Sequence, residues 1–260
     1  LRGAISVSAP SGGESWDLAT NHSINWTRKG NIAGVDISYS WNNGTNWTTL
    51  AAGVTASNLT WLWNISTDTQ TTTLGKIKVA DSSNAEVVYG TSSGTFGIKG
   101  KLTLNTPSAP ATVLTYGASP YNITWSTFGT IANVEVRYST DGITWPAGKI
   151  IAASVNATTG TPYSWGVPDE IGTNLSVKIT DTSDASVSNV SSNLFAIKGA
   201  IQIIQPNGNE NFLKGSLQQI QWKPTGTYPG SVLLEYSNDS GSTWKGIAAP
   251  SAGADNVTQT

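Results

Sequence analysis

One string of residues occurs three times in this chain, and it constrains the fold more than any other feature. Ile24-Asn25-Trp26 is followed by Tyr39-Ser40, Gly44 and Trp47. The same order returns as Ile123-Thr124-Trp125, Tyr138-Ser139, Gly142 and Trp145, and again as Ile220-Gln221-Trp222, Tyr236-Ser237, Gly241 and Trp244. The Trp-to-Trp spacings are 99 and 97 residues. Repeats of that size with strand-like content predict tandem β-sandwich modules.

The first two copies match to their ends. Trp61-Leu62-Trp63 answers Tyr163-Ser164-Trp165, and Ile77-Lys78-Val79-Ala80-Asp81 answers Val177-Lys178-Ile179-Thr180-Asp181. Phe96-Gly97-Ile98-Lys99-Gly100 answers Phe195-Ala196-Ile197-Lys198-Gly199. Copy two runs 54 residues past Trp145, copy three only 16 past Trp244. The predicted organisation is therefore a complete sandwich over 1–99, a second over 100–198, and the N-terminal half of a third over 199–260. Leu1-Arg2-Gly3 sits where Ile98-Lys99-Gly100 and Ile197-Lys198-Gly199 sit, before a new first strand. The expectation is a stretch of a longer repeating array.

Period-two alternation supports strands throughout. Val35, Ile37 and Tyr39 alternate with polar residues, as do Val134, Val136 and Tyr138, and Val232, Leu234 and Tyr236. The first strands, Ala4 to Ser8 and Lys101 to Asn105, close at Pro10 and Pro107, and Pro206 closes the third, because proline donates nothing to a ladder. Helical signals are absent: Gly, Asn, Thr and β-branched residues dominate.

Composition narrows the function classes. Charged residues are 12% of the chain and the net charge is −2, so no nucleic-acid footprint exists. No apolar run reaches the length of a membrane-spanning helix. Without cysteine, disulfides and thiolate metal sites are excluded and the two-sheet cores carry the stability. Eleven Trp supply much of that burial.

Chemistry-bearing residues are scattered. His22 is the only histidine and precedes a strand on a Thr/Asn/Ser stretch, an exposed or capping position. Asp181 with Asp184, and Asp81 with Glu86 in copy one, form repeated turns with too few oxygens for calcium. No nucleophile–base set, carboxylate cleft or phosphate loop assembles, and no cofactor is expected. Ser237-Asn238-Asp239-Ser240-Gly241-Ser242-Thr243-Trp244 resembles the Asp-box of sialidase propellers. Copy two shortens it to Ser139–Trp145 and copy one has Asn42 in place of the Asp. The period is far too long for a propeller, so the motif reads as a hairpin turn.

Twelve of 21 asparagines head an Asn-x-Ser/Thr sequon: Asn21, Asn25, Asn43, Asn46, Asn58, Asn64, Asn122, Asn156, Asn174, Asn189, Asn238 and Asn256. Polar-apolar-polar strands rich in Asn and Thr generate part of this excess by themselves. In Asn25-Trp26-Thr27 and Asn122-Ile123-Thr124 the apolar middle residue faces the core. Asn and Thr then share the solvent face, where covalent N-linked glycans are expected. Low charge leaves solubility needing such a source.

The pattern Pro10-Ser11-Gly12-Gly13-Glu14-Ser15-Trp16, the Ile-x-Trp strand, Tyr-Ser-x-Asp-Gly with a following Trp, Tyr-x-Trp and Val-x-Ile-x-Asp together resemble a known module. It looks like the Ser/Thr-rich Ig-like/fibronectin-III-like repeats of bacterial and archaeal surface proteins, related to the N-terminal module of yeast cell-wall glucan-assembly proteins. Copy three keeps Pro206-Asn207-Gly208-Asn209-Glu210-Asn211-Phe212, whereas copy two departs with Pro107-Ser108-Ala109-Pro110. The resemblance implies an extracellular or cell-surface location and a scaffold or adhesive role.

The expected fold class is therefore all-β, tandem Ig-like antiparallel sandwiches. The expected function is a non-catalytic, glycosylated segment of a filament, sheath or surface-layer array, self-associating or continuing into a longer array. The third module is expected to be completed either by the rest of the same chain or by a strand from a neighbouring subunit. The alternative is a carbohydrate-binding or adhesin stalk with cell-surface polysaccharide as partner. Trp41 and Trp61 are the candidate sugar-stacking residues, since Trp26, Trp47 and Trp63 recur at core-like positions.

Overall fold

The computed structural model describes residues 3–227 and 231–248. Sequon Asn256 lies outside the described residues.

The first module consists of β1 (Ala4–Ala9), β2 (Ser15–Asp17), β3 (Asn21–Lys29), β4 (Gly34–Ser40), β5 (Thr48–Thr55), β6 (Thr60–Asn64), β7 (Thr72–Asp81), β8 (Tyr89–Thr91) and β9 (Phe96–Lys99). β1, β3 and β6 form one sheet; β2, β9, β7, β4 and β5 form the other in that order, with β8 also on β7. The opening strand changes sheets. Its first half pairs antiparallel with β3, and after Pro10 its second half, β2, runs parallel to β9. Proline ends the first ladder by lacking an N–H, and the displaced chain finds new partners on the facing sheet. This is the immunoglobulin-like arrangement.

The second module repeats it strand for strand. β10 (Lys101–Thr106), β12 (Tyr121–Phe128) and β15 (Tyr163–Trp165) form the small sheet. β11 (Val113–Thr115), β18 (Phe195–Lys198), β16 (Gly172–Asp181), β13 (Asn133–Ser139) and β14 (Ile150–Asn156) form the large one, with β17 (Ser188–Val190) on β16. No described segment is α-helical.

Each core is centred on the repeated Trp. Trp26 and Trp125 are buried beside Ile24 and Ile123. Their indole N–H groups donate to equivalent carbonyls, Ala56 O at 3.3 Å and Ala157 O at 2.7 Å. A buried indole without such an acceptor would forfeit its hydration, so the partner is part of the position. Trp47 differs from its repetition pattern. It is half-buried beside the turn of Gly44, with Lys78 Nζ 5.0 Å from its ring centre, rather than in the core.

The third module has β19 (Ala200–Gln205) on β20 (Gln221–Thr225) and β21 (Leu234–Tyr236) on β22 (Lys245–Ala248). Trp222 is buried, but the first strand is not covered. Ile201 and Ile203 are 45% and 54% exposed, where their counterparts Leu102 and Leu104 are 3% and 5%.

Successive modules meet in the same way. Only Gly100 separates β9 from β10, and only Gly199 separates β18 from β19. The turn four residues after each central Trp carries a glycine in the left-handed region: Gly30, Gly129 and Gly226. Gly129 abuts Leu18 and Thr71 of the preceding module, and a Cβ there would lie 2.7 Å from each. Gly226 abuts Tyr116, Asp169 and Ile171 of its preceding module. Phe128 packs against the core of module one, and Lys99 Nζ donates to Ser186 Oγ at 3.0 Å. At the next joint the Thr227 N–H and hydroxyl both donate to the Asp169 carboxylate, at 2.7–2.9 Å.

Candidate functional site

β5 and β6 are the outermost strands of their two sheets, so the seam between them is an open side of the sandwich. In module one this seam is a groove of about 630 Å³. Trp61 of β6 and Trp41, just after β4, both line it, together with Tyr39, Trp63 and the polar residues Thr48, Thr49, Asp68 and Gln70. Trp41 and Trp61 are half-buried and packed partly on the core.

Both walls are held from behind. The Thr72 hydroxyl donates to Trp41 O at 2.6 Å and accepts from Leu74 N–H at 2.8 Å. Asn43 N–H donates to Leu74 O at 2.9 Å, which fixes the turn after Trp41 to β7. The Tyr39 hydroxyl donates to Gln70 O at 2.9 Å and anchors the loop that carries Asp68 and Gln70. Burial pushes that hydroxyl well above the usual phenol range, so it stays a neutral donor. The Trp63 ring lies 5.0 Å from the Tyr39 ring and 6.5 Å from Phe96, tying the floor to the aromatic core.

The corresponding seam of module two is smaller, about 310 Å³. Thr140 stands at the Trp41 position and Tyr163 at the Trp61 position. A Lys149–Glu170 ion pair lies beside it.

One sequon, Asn64 with its Ser66, lies at the lip of the module-one groove. Of the eleven described, nine asparagines are exposed, and Asn25 and Asn189 are half-buried. In β3 and β6, Asn21 stands opposite Asn64 and Asn25 opposite Thr60. Thr60 donates to Asn25 Oδ1 at 2.7 Å. In module two Asn122 stands opposite Ser164. Asn189 is committed to the fold: its Oδ1 accepts Leu104 N–H at 2.8 Å, across the two sheets. Asn156 Oδ1 accepts the N–H and hydroxyl of Thr158, its own sequon threonine, at 3.0 Å.

The remaining candidates are occupied by structure. His22 stacks on Trp16 at 4.4 Å and 9°, its Nε2 3.0 Å from the Thr20 hydroxyl, and burial lowers its pKa against the opposing pull of Asp17. Asp81 and Asp181 each accept from the N–H and hydroxyl of the serine two residues on. Glu86 is exposed, and Asp184 accepts from Ser186. Among the described residues no group of three His, Asp or Glu could hold a metal ion. Asp239 accepts from Ser237 and Thr243 within its own turn, which lowers its pKa to about 2. Glu14 accepts Ser11 and Gly12 N–H, and Glu210 accepts Asn207 and Gly208 N–H, so the Pro-x-Gly-x-Glu motif is a self-capped turn.

No family model matches the chain, and no curated protein matches it. Among solved structures it is similar to the fibronectin(III)-like modules of Clostridium thermocellum CbhA, at 19% identity, covering 75% of this chain and 94% of that one with a TM-score of 0.26. It is similar to an I-band fragment of titin at 9% identity, covering 96% and 82%, TM-score 0.32. It is also similar to the N-terminal four Ig domains of Dscam1 isoform 8.4 at 12% identity, covering 76% and 47%, TM-score 0.31. Similarities this low carry nothing about activity, ligand or partner.

Proposed function

We propose that this chain is a non-catalytic structural segment of an extracellular array, a filament, sheath or surface layer built from N-glycosylated immunoglobulin-like modules. The observation that carries this reading is the repeated joint. Gly129 and Gly226 occupy the same turn in successive modules, and each receives the same region of the module before it. One-residue links leave little freedom between sandwiches. A joint rebuilt from equivalent parts gives each module the same step relative to the last, which is the requirement for a regular linear array.

Two further features fit. The sequon rows face outward, where attached sugars would supply the hydration that so few charges do not. The apolar face of β19 fits coverage by further strands of the array, from the same chain or from a neighbouring subunit. No described helix is long and apolar enough to cross a membrane, and the reading places the array outside the cell by association with other molecules of its own kind. Electron microscopy of native surface material tests it. Fibres or an ordered layer with a repeat set by the module are expected; isolated, unassembled particles would overturn it.

A further inference from the structure

We propose that the Trp41–Trp61 groove of module one is a binding site for a neutral pyranose oligosaccharide. This goes beyond the array reading and does not rest on it.

The first reason is the contrast between two copies of one unit. Both modules share the strands, the central Trp and the edge seam, so the seam itself needs neither Trp41 nor Trp61. Module two manages with Thr140 and Tyr163 and has half the groove volume. Module one instead keeps two large aromatic side chains half-buried at an opening, where each leaves apolar surface in water. The groove falls within the ~300–1,000 Å³ of ordinary ligand sites.

The second reason is the pairing of surfaces. Indole rings offer flat apolar faces, while Thr48, Thr49, Asp68 and Gln70 offer hydroxyl, carboxylate and amide partners around them. A purely apolar ligand would leave that rim unpaired. An anionic ligand would meet Asp68 with no Lys, Arg or His lining the groove to offset it. A pyranose ring has an apolar C–H face and a hydroxyl edge, so it satisfies both surfaces together.

The third reason is preorganisation. The Trp41 backbone and the Gln70 backbone are clamped by Thr72 and Tyr39, so both walls are set before a ligand arrives.

The test is a titration of the unglycosylated 260-residue chain with neutral hexasaccharides of β-1,4-glucose, β-1,4-N-acetylglucosamine and α-1,6-mannose. Indole N–H resonances and calorimetry report binding. At least one hexasaccharide is expected to bind with a Kd of about 1 mM or tighter, shifting the Trp41 and Trp61 signals. The double variant Trp41→Thr with Trp61→Tyr installs the residues module two already folds with, and is expected to weaken binding at least about tenfold. Asp68→Asn with Gln70→Ala leaves the packing untouched and is expected to weaken it about threefold. Trp145→Phe, in module two, is expected to change nothing. Two sources share this sugar chemistry. Asn64 lies at the groove's lip, so the native chain is compared with a glycosylated Asn64→Gln variant. Binding lost in both assigns the site to the array's own N-glycans; binding kept in the variant assigns it to a free polysaccharide. No binding by any hexasaccharide at about 10 mM, or binding that survives the Trp double variant, overturns the proposal.

Discussion

Asn21 and Asn64 stand directly opposite each other on the outer face of module one, paired in register across β3 and β6. Both head sequons and both are exposed. Side chains in such a pair start only about 5 Å apart. Two branched sugars rooted that close would crowd one another. Glycopeptide mass spectrometry of native protein is expected to find sugars at several exposed sequons, Asn122 among them, with Asn21 and Asn64 seldom modified together. Asn21→Gln should then raise occupancy at Asn64. Asn189, whose amide oxygen is held by Leu104, should be among the least modified. Unmodified asparagine at every sequon in those spectra would refute the glycosylation itself.

The joint makes a second prediction. Gly129 and Gly30 share a left-handed conformation at φ 77° and 83°, so alanine strains either by about 1 kcal/mol. Only at Gly129 would the new methyl also press on Leu18 and Thr71 of another module. Gly129→Ala should therefore lower the thermal midpoint of the chain more than Gly30→Ala. Equal effects would mean that the joint yields to the methyl at no cost beyond that at Gly30, whose own Cβ would lie 3.1 Å from Gly3 Cα.

Asp169→Ala removes the acceptor for both Thr227 donors. Hydrogen exchange is expected to accelerate in Gln221–Thr225 while the core strand Gly172–Asp181 keeps its protection. Unchanged exchange in the third module would show that these bonds do not secure it.

Trp125→Phe leaves the buried Ala157 carbonyl without its indole donor and shrinks the core side chain. A loss of about 2 kcal/mol in unfolding free energy is expected from denaturant titration. Trp47→Phe, half-buried under Lys78, should cost well under half of that. Equal losses would contradict the burial difference.

Thr144, first through its hydroxyl and then its N–H, together with Ser139 and Ile143, holds the Asp141 carboxyl well below its ordinary value of 3.8. A depressed folded-state pKa stabilises the fold above the unfolded value, and this contribution is lost as pH falls through the folded one. The gap in urea midpoint between wild type and Asp141→Asn should be full near about pH 7 and shrink steadily below about pH 4. A gap constant down to about pH 2 would remove Asp141 from the acid response.

The amino-acid sequence by itself determined the module and its count. A strand's side chains alternate with period two, so Ile24 with Trp26 and Ile123 with Trp125 declare their buried face without any partner being known. Turn chemistry is equally local: Asp239 and Glu14 bond to residues within four positions. Tertiary structure alone decided the rest. Trp41 and Trp61 share a groove only because two sheets pack face to face and leave one seam open. Asn21 meets Asn64 only through the register of β3 on β6. Trp47 repeats as faithfully as Trp26 yet lies outside the core, because repetition reports an equivalent place and not a buried one. Leu18 and Thr71 meet Gly129 across a module boundary, a contact that no local spacing in either module announces. Such relations depend on how finished surfaces fit together, and that is a property of packed volumes rather than of local spacing.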